Sequence, residues 1–80
     1  MKLPRDINGD DLIKGLKVYG YALTRQVGSH IRLTTIQNGQ HHITIPNHSP
    51  IKIGTLSAIL NDIALHFDIP KEDVINKIFG

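Results

Sequence analysis

The segment "YALTRQVGSHIRLTTIQNGQHHITIP", Tyr21–Pro46, carries the clearest structural pattern of this chain, because it holds three runs of alternating apolar and polar residues separated by two short turns that contain glycine. Alternation with a period of two is typical of strands that bury one face and expose the other. Glycine supplies the backbone freedom that a tight corner requires. The stretch therefore predicts a sheet of three antiparallel strands in chain order.

The register of the second hairpin follows from the faces of its side chains. A two-residue turn at Asn38–Gly39 would pair Leu33 with Thr44 and so mix apolar and polar groups on one face. A three-residue loop over Gln37–Gly39 pairs Leu33 with Ile43 instead. We therefore expect the longer loop.

The same loop type over Gln26–Gly28 pairs Leu23 with Ile31 in the first hairpin. One face of the predicted sheet is then apolar and consists of Tyr21, Leu23, Ile31, Leu33, Ile43 and Ile45. The other face is polar and consists of Thr24, His30, Arg32, Thr34, His42 and Thr44.

Helical patterns flank the sheet on both sides. Before it, Asn8 can cap a helix over residues 9–19 that stops at Gly20. After it, a second amphipathic helix begins near Gly54 or Thr55 and breaks at Asp68–Pro70, where a short third helix follows.

Both main helices must cover the apolar face of the sheet, because nothing else in the chain can bury it. The prediction is an α+β fold in a single domain over residues 1–80, with the polar face of the sheet open.

The composition sets the limits on function. The 80 residues carry a net charge of +2 and contain no cysteine, which excludes a disulfide framework and a thiolate nucleophile. No apolar run reaches the ~18 residues of a membrane span, and the polar start is unlike a signal peptide, so we expect a cytoplasmic protein without membrane contact. From Lys14 to Lys52 there are no acidic residues, which suits a polyanionic partner.

His30 is the first candidate for a catalytic residue. An exposed histidine on a strand is commonly an inert surface residue, but this one follows Gly28 and Ser29, whose small side chains leave backbone amides open. Arg32 lies two residues further on the same face. An imidazole exchanges protons near neutral pH, and the cleavage of RNA by its own 2′-hydroxyl needs a proton acceptor and cations around the phosphate.

The remaining histidines do not predict a metal site. His41 and His42 are adjacent in a strand and point to opposite faces, and no carboxylate lies near them in sequence. Gly54 and Thr55 stand at a helix start behind Lys52, where free amides can hold a phosphate, although the sequence alone favours an ordinary capped helix.

At the level of motifs the chain resembles the HicA-type toxins (also called the YcfA family), small RNA-cleaving partners in bacterial toxin–antitoxin pairs. The residues that carry the resemblance are "KLPRDINGDDLIK", "GYALTRQVGSHIRL" and "ITIPNHSPIKIGTLSAIL". They cover most of residues 1–65, and residues 66–80 form a helical extension outside the match. The resemblance implies a fold like that of double-stranded-RNA-binding domains.

The resemblance also implies roles for single residues. The family's catalytic histidine is the one in "GSH", which is His30 here, and the histidine of "P-x-H" falls on His48. Family members often carry basic residues where Val27, Ser57 and Asn61 stand, so this chain lacks part of the family's positive charge.

Two classes of function follow. The first is a toxin that cleaves mRNA as a metal-independent endoribonuclease without a cofactor, with His30 as the catalytic residue and a HicB-type antitoxin as its protein partner. The RNA phosphates are then held by Gly28, Ser29, Arg32, His48, Lys52 and Thr55. The alternative is a non-catalytic RNA-binding module of the same fold, or a remnant that binds only the antitoxin.

Overall fold

The structure, a computed structural model, describes residues 3–80. Residues 1 and 2, which the predicted domain includes, lie outside the described residues. The elements in chain order are α1 (Gly9–Leu16), a 3-10 turn (Lys17–Tyr19), β1 (Ala22–Val27), β2 (His30–Thr35), β3 (His41–Pro46), α2 (Ile53–Phe67) and α3 (Lys71–Phe79). The predicted α+β fold, with three antiparallel strands and helices on either side of them in sequence, is confirmed.

Local chemistry defines both ends of α1. The side chain of Asn8 accepts a hydrogen bond of 2.8 Å from the backbone amide of Asp11, whose carboxylate in turn accepts one from the amide of Asn8. This reciprocal pair satisfies two amides that the first helical turn leaves without partners. The helix tightens into the 3-10 turn and ends at Gly20, where φ is 80° and an added Cβ would lie 2.6 Å from Nε2 of Gln37.

The second hairpin has the predicted register. Leu33 pairs with Ile43, and Ile31 with Ile45. The pairing ends at Thr35 and His41, so the loop between the strands is longer than the three residues expected. The end of α2 holds this loop from outside, because Asn38 Nδ2 donates to the carbonyl of His66 at 2.9 Å.

The predicted register of the first hairpin is wrong. Val27 pairs with His30 around a two-residue turn at Gly28–Ser29, and Leu23 lies opposite Leu33. Gly28 has φ of 58° at the first turn position, which is the requirement of a type II′ turn. A bulge at Thr24 absorbs the extra residue. Alternation in the sequence reveals the face of a residue but not an insertion within the strand.

The helices pack on one face of the sheet, as predicted, with α2 over β3 and α1 near β1. Burying an aliphatic side chain in this layer contributes about 1.5–3 kcal/mol. Within residues 3–80 the buried apolar side chains form a cluster of Leu12, Leu16, Tyr21, Ile31, Leu33, Ile43, Ile45, Ile51, Leu56, Ile59, Leu60, Ile63, Ala64, Val74 and Ile75.

Leu23 was expected in this cluster but is 51% exposed. The reason is that β1 is an edge strand whose residues are all exposed, whereas α2 packs over β3 at the opposite edge of the sheet. None of the helices within residues 3–80 is both long and apolar enough to cross a membrane.

Candidate active site

His30 is the first residue of β2 and lies exposed on the open face of the sheet, as predicted. No side chain among residues 3–80 forms a hydrogen bond or an ion pair with its ring. Both ring nitrogens can therefore meet a ligand. An imidazole in this situation can accept or donate a proton in a reaction at the surface.

The turn before His30 presents backbone amides to the solvent. Within the described chain, the amide groups of Gly28 and Ser29 donate to no acceptor, and a Cβ added to Gly28 would meet no atom within 4 Å. Free amides in a tight turn are suited to bind an anion. The turn therefore places hydrogen-bond donors directly beside the exposed imidazole.

A short hydrogen bond joins this turn to the segment between β3 and α2. The amide of Asn47 donates to the carbonyl of Ser29 at 2.6 Å, and Pro46 is the partner of His30 in the sheet. On the other side, the amide of Ile51 donates to the carbonyl of Ile7 at 2.7 Å. Residues 46–52 are thus held against both the turn and the segment before α1.

The same segment forms one wall of a cleft of about 520 Å³, whose lining consists of Pro46, His48, Pro50, Lys52 and Thr55. Three residues that the sequence assigned to phosphate binding, His48, Lys52 and Thr55, therefore come together. The cleft borders the row of His30 in the sheet, because Pro46 lines the cleft and is the sheet partner of His30.

The start of α2 opens into this region. Lys52 occupies the position before the helix, and no side chain caps the first turn. The amides of the first helical turn have no partner within a helix, and the helix dipole makes this end positive. An added Cβ on Gly54 would meet no atom within 4 Å, so a ligand can approach the backbone. The Lys52 ammonium adds further positive charge at this end of α2, an arrangement of the kind that can bind an anion.

Arg32 lies on the open face two residues from His30, as predicted, and not in the cleft. The structure adds Arg25, which the sequence analysis did not assign to the site. The bulge at Thr24 makes Arg25 the sheet partner of Arg32, so Arg25 lies on the open face. Strict alternation would instead put Arg25 on the same face as Leu23, which is the apolar face. An arginine at an expected core position is itself a signal of a bulge.

A second group of histidines lies at the other end of the sheet. The hydroxyl of Tyr21 is 2.7 Å from Nδ1 of His41, and Nε2 of His41 is 3.4 Å from the carboxylate of Asp62. The rings of His41 and His66 are stacked with centroids 4.4 Å apart. Burial, with a further contribution from the charge of Asp62, raises the pKa of Tyr21 to about 12.

The predicted separation of His41 and His42 is confirmed. His42 lies on the open face, where its Nδ1 is 2.7 Å from the hydroxyl of Thr34, while His41 contacts Tyr21 on the helical side. Among residues 3–80, no three histidine, aspartate or glutamate side chains come together as metal ligands. The contacts of His41 connect β3 to α2 and to the start of β1, which indicates a structural role.

Comparison with known proteins gives one match to a family. The family model described as the HicA toxin of bacterial toxin–antitoxin systems matches residues 9–65. The matched range runs from the first residue of α1 into α2, and it includes the His30 turn and the cleft. Searches of curated proteins and of solved structures gave no match.

Proposed function

This chain belongs to the HicA family of bacterial toxins, and we propose that it is an endoribonuclease that cleaves mRNA with His30 and needs neither a metal ion nor a cofactor. The observation that carries the proposal is the exposed, unbonded imidazole of His30 beside the free amides of Gly28 and Ser29. No acidic residue occurs between Lys14 and Lys52, so no carboxylate from this part of the chain opposes an RNA phosphate.

The proposed reaction is attack of a 2′-hydroxyl on the adjacent phosphate. His30 takes the proton of the hydroxyl, the O2′–P bond forms, the P–O5′ bond breaks, and the leaving 5′ oxygen takes a proton from the solvent. The products are a 2′,3′-cyclic phosphate and a 5′-hydroxyl. A positioned proton acceptor typically contributes about 10²–10⁴ in rate.

The groups around His30 would stabilise the extra charge on the phosphate. The amides of Gly28 and Ser29 are the nearest donors along the chain, and Lys52 with the open start of α2 adds positive charge from the cleft. A single donor of this kind is typically responsible for about 10²–10³ in rate. His48 and Thr55 line the cleft and are proposed to contact the RNA there.

Substitution of His30 tests the proposal. His30→Ala should lower the rate of RNA cleavage by at least about 10², and its thermal midpoint should stay near that of the wild type because the side chain is exposed. His42→Ala is the matched control, since His42 is exposed on the same sheet face and bonds to Thr34. Equal cleavage by the His30 variant and the wild type would refute the assignment.

One observation favours the second candidate, an RNA-binding module without catalysis. Val27, where family members often carry a basic residue, is 61% exposed and brings no charge. The loss of positive charge is less complete at Ser57, because the ammonium of Lys71 from α3 hydrogen-bonds to the Ser57 hydroxyl. RNA binding by the wild type without formation of 2′,3′-cyclic ends would support this candidate.

We propose a HicB-type antitoxin as the protein partner, laid over the open face of the sheet. Membership of a toxin–antitoxin family implies an antitoxin. The helices of residues 3–80 pack into the core on the opposite face and cannot close over His30, so inhibition has to come from outside. We propose the cytoplasm as the place of action, because the substrate is mRNA.

A further inference from the structure

The bulge in β1 places two arginines opposite each other. On one side of Thr24 the sheet pairs Leu23 with Leu33, and on the other side it pairs Arg25 with Arg32. The hydroxyl of Thr24 is 2.9 Å from that of Thr34 and donates to the carbonyl of Arg32 at 3.3 Å. These two contacts hold the bulge to β2.

Paired residues of antiparallel strands project on the same side, with Cβ atoms about 4.5–5.5 Å apart. Arg25 and Arg32 therefore share the open face. Two like charges in this arrangement repel each other in the free protein, and within residues 3–80 no carboxylate forms an ion pair with either guanidinium. An anion between the two side chains would remove the repulsion and could accept hydrogen bonds from both.

We propose that Arg25 and Arg32 together bind one phosphate of the RNA chain, the neighbour of the phosphate that is cleaved. The inference rests on the proposed nuclease function. Arg32 is two residues from His30 along β2, a rise of about 6.8 Å, so the pair lies one row further into the sheet than the reacting group. In this proposal the scissile phosphate is bound by the amides of Gly28 and Ser29 and by Lys52.

RNA suits this pair better than an acidic segment of a protein does. A phosphodiester offers two unesterified oxygens to two planar guanidinium groups, and the chain that carries it continues directly to His30. The neighbouring side chains of Thr34 and Thr44 on this face are polar and can contact sugar and phosphate oxygens.

The test measures the binding of a short 2′-O-methyl RNA, which lacks the attacking hydroxyl and stays intact. Fluorescence anisotropy is recorded between about 50 and 200 mM salt for the wild type, Arg25→Gln, Arg32→Gln and the double variant. Lys77→Gln is the matched control, because Lys77 is exposed on α3. Thermal midpoints verify that all variants are folded.

If the two arginines share one phosphate, each single variant should bind on the order of tenfold more weakly. The slope of log K against log salt should become shallower by about 0.7 in each single variant, and the double variant should lose little more. Lys77→Gln should bind like the wild type. Additive losses, with a slope change of about 1.4 in the double variant, would show two separate phosphates and overturn the shared site.

An effect of Arg32→Gln without an effect of Arg25→Gln would also overturn the proposal, as would variants that lose antitoxin binding but keep RNA binding. Cleavage of ordinary RNA by the wild type separates this inference from the proposed function. Cleavage together with unchanged binding by Arg25→Gln refutes the shared phosphate site alone. If the slopes change as expected but the wild type cleaves no RNA, the proposed nuclease function is refuted and the shared phosphate site is supported.

Discussion

Replacement of His41 by alanine should separate the two kinds of histidine in this chain. His41 is only 19% exposed, and its ring is in contact with three side chains: the hydroxyl of Tyr21, the carboxylate of Asp62 and the ring of His66. With its proton on Nε2, the ring accepts from the hydroxyl of Tyr21, and Nε2 lies 3.4 Å from the carboxylate of Asp62. We therefore expect His41→Ala to destabilise the fold while the chemistry at His30 remains intact.

The size of the effect follows from these contacts. The Tyr21 side chain is 1% exposed, so its hydroxyl loses its partner in a buried position, which costs about 1–3 kcal/mol. Loss of the stacked ring contact with His66 adds about 0.5–1.5 kcal/mol. The ion pair with Asp62, which is 56% exposed, contributes little. The total is about 2–4 kcal/mol, or roughly 8–32 °C in the thermal midpoint of a domain of this size.

Urea unfolding followed by circular dichroism measures this loss, with His42→Ala as the matched control because His42 lies on the exposed face and forms an exposed hydrogen bond with Thr34. RNA cleavage is then measured well below the unfolding midpoint of each variant. His41→Ala should cleave like the wild type per folded molecule. An unchanged midpoint would refute the structural role of His41, and a loss of cleavage in the folded variant would place it in the reaction.

Three further outcomes are expected. Cleavage should persist in EDTA, since no cluster of metal ligands occurs among residues 3–80, and activity that requires added divalent ion would refute the histidine mechanism. Burial raises the pKa of Tyr21 to about 12 from 10.0, so the folded state holds the phenol proton more tightly than the unfolded chain does. This stabilisation is complete below pH 10 and is lost as the pH rises towards 12. Between these pH values the free energy of unfolding, measured in urea, should fall on the order of 2 kcal/mol less in Tyr21→Phe than in the wild type. An identical pH profile of the two proteins would contradict this prediction. Finally, antitoxin binding should slow hydrogen exchange in residues 28–34 and 44–50, and protection confined to α1 or α3 would show that the antitoxin acts without covering His30.

Much of the fold could be read from local sequence. The alternation in β2 and β3 specified which side chains face the helices. An odd number of residues between the two strands keeps their apolar side chains on one face, and this requirement predicted the correct pairing of Leu33 with Ile43. The Asn8 cap and the left-handed residues Gly20 and Asp68 ended the helices where the pattern indicated. These features depend on neighbours a few positions apart, which is why the sequence alone reveals them.

The exposed position of His30 was also predictable, because a polar residue in an alternating strand faces away from the core. The convergence of His48, Lys52 and Thr55 on one cleft was not. The segment that carries them is held by hydrogen bonds between distant residues, from Asn47 to Ser29 and from Ile51 to Ile7, and such contacts leave no periodic trace in the sequence.

The bulge at Thr24 is the clearest feature that local sequence does not predict. Strict alternation places Arg25 on the apolar face, and only the pairing of β1 with β2 turns it to the open face beside Arg32. Because every residue of β1 is exposed, burial does not impose its register as it does in β2 and β3. Local periodicity thus determined the elements and their faces, whereas contacts between distant residues determined the first hairpin, the cleft and the arginine pair.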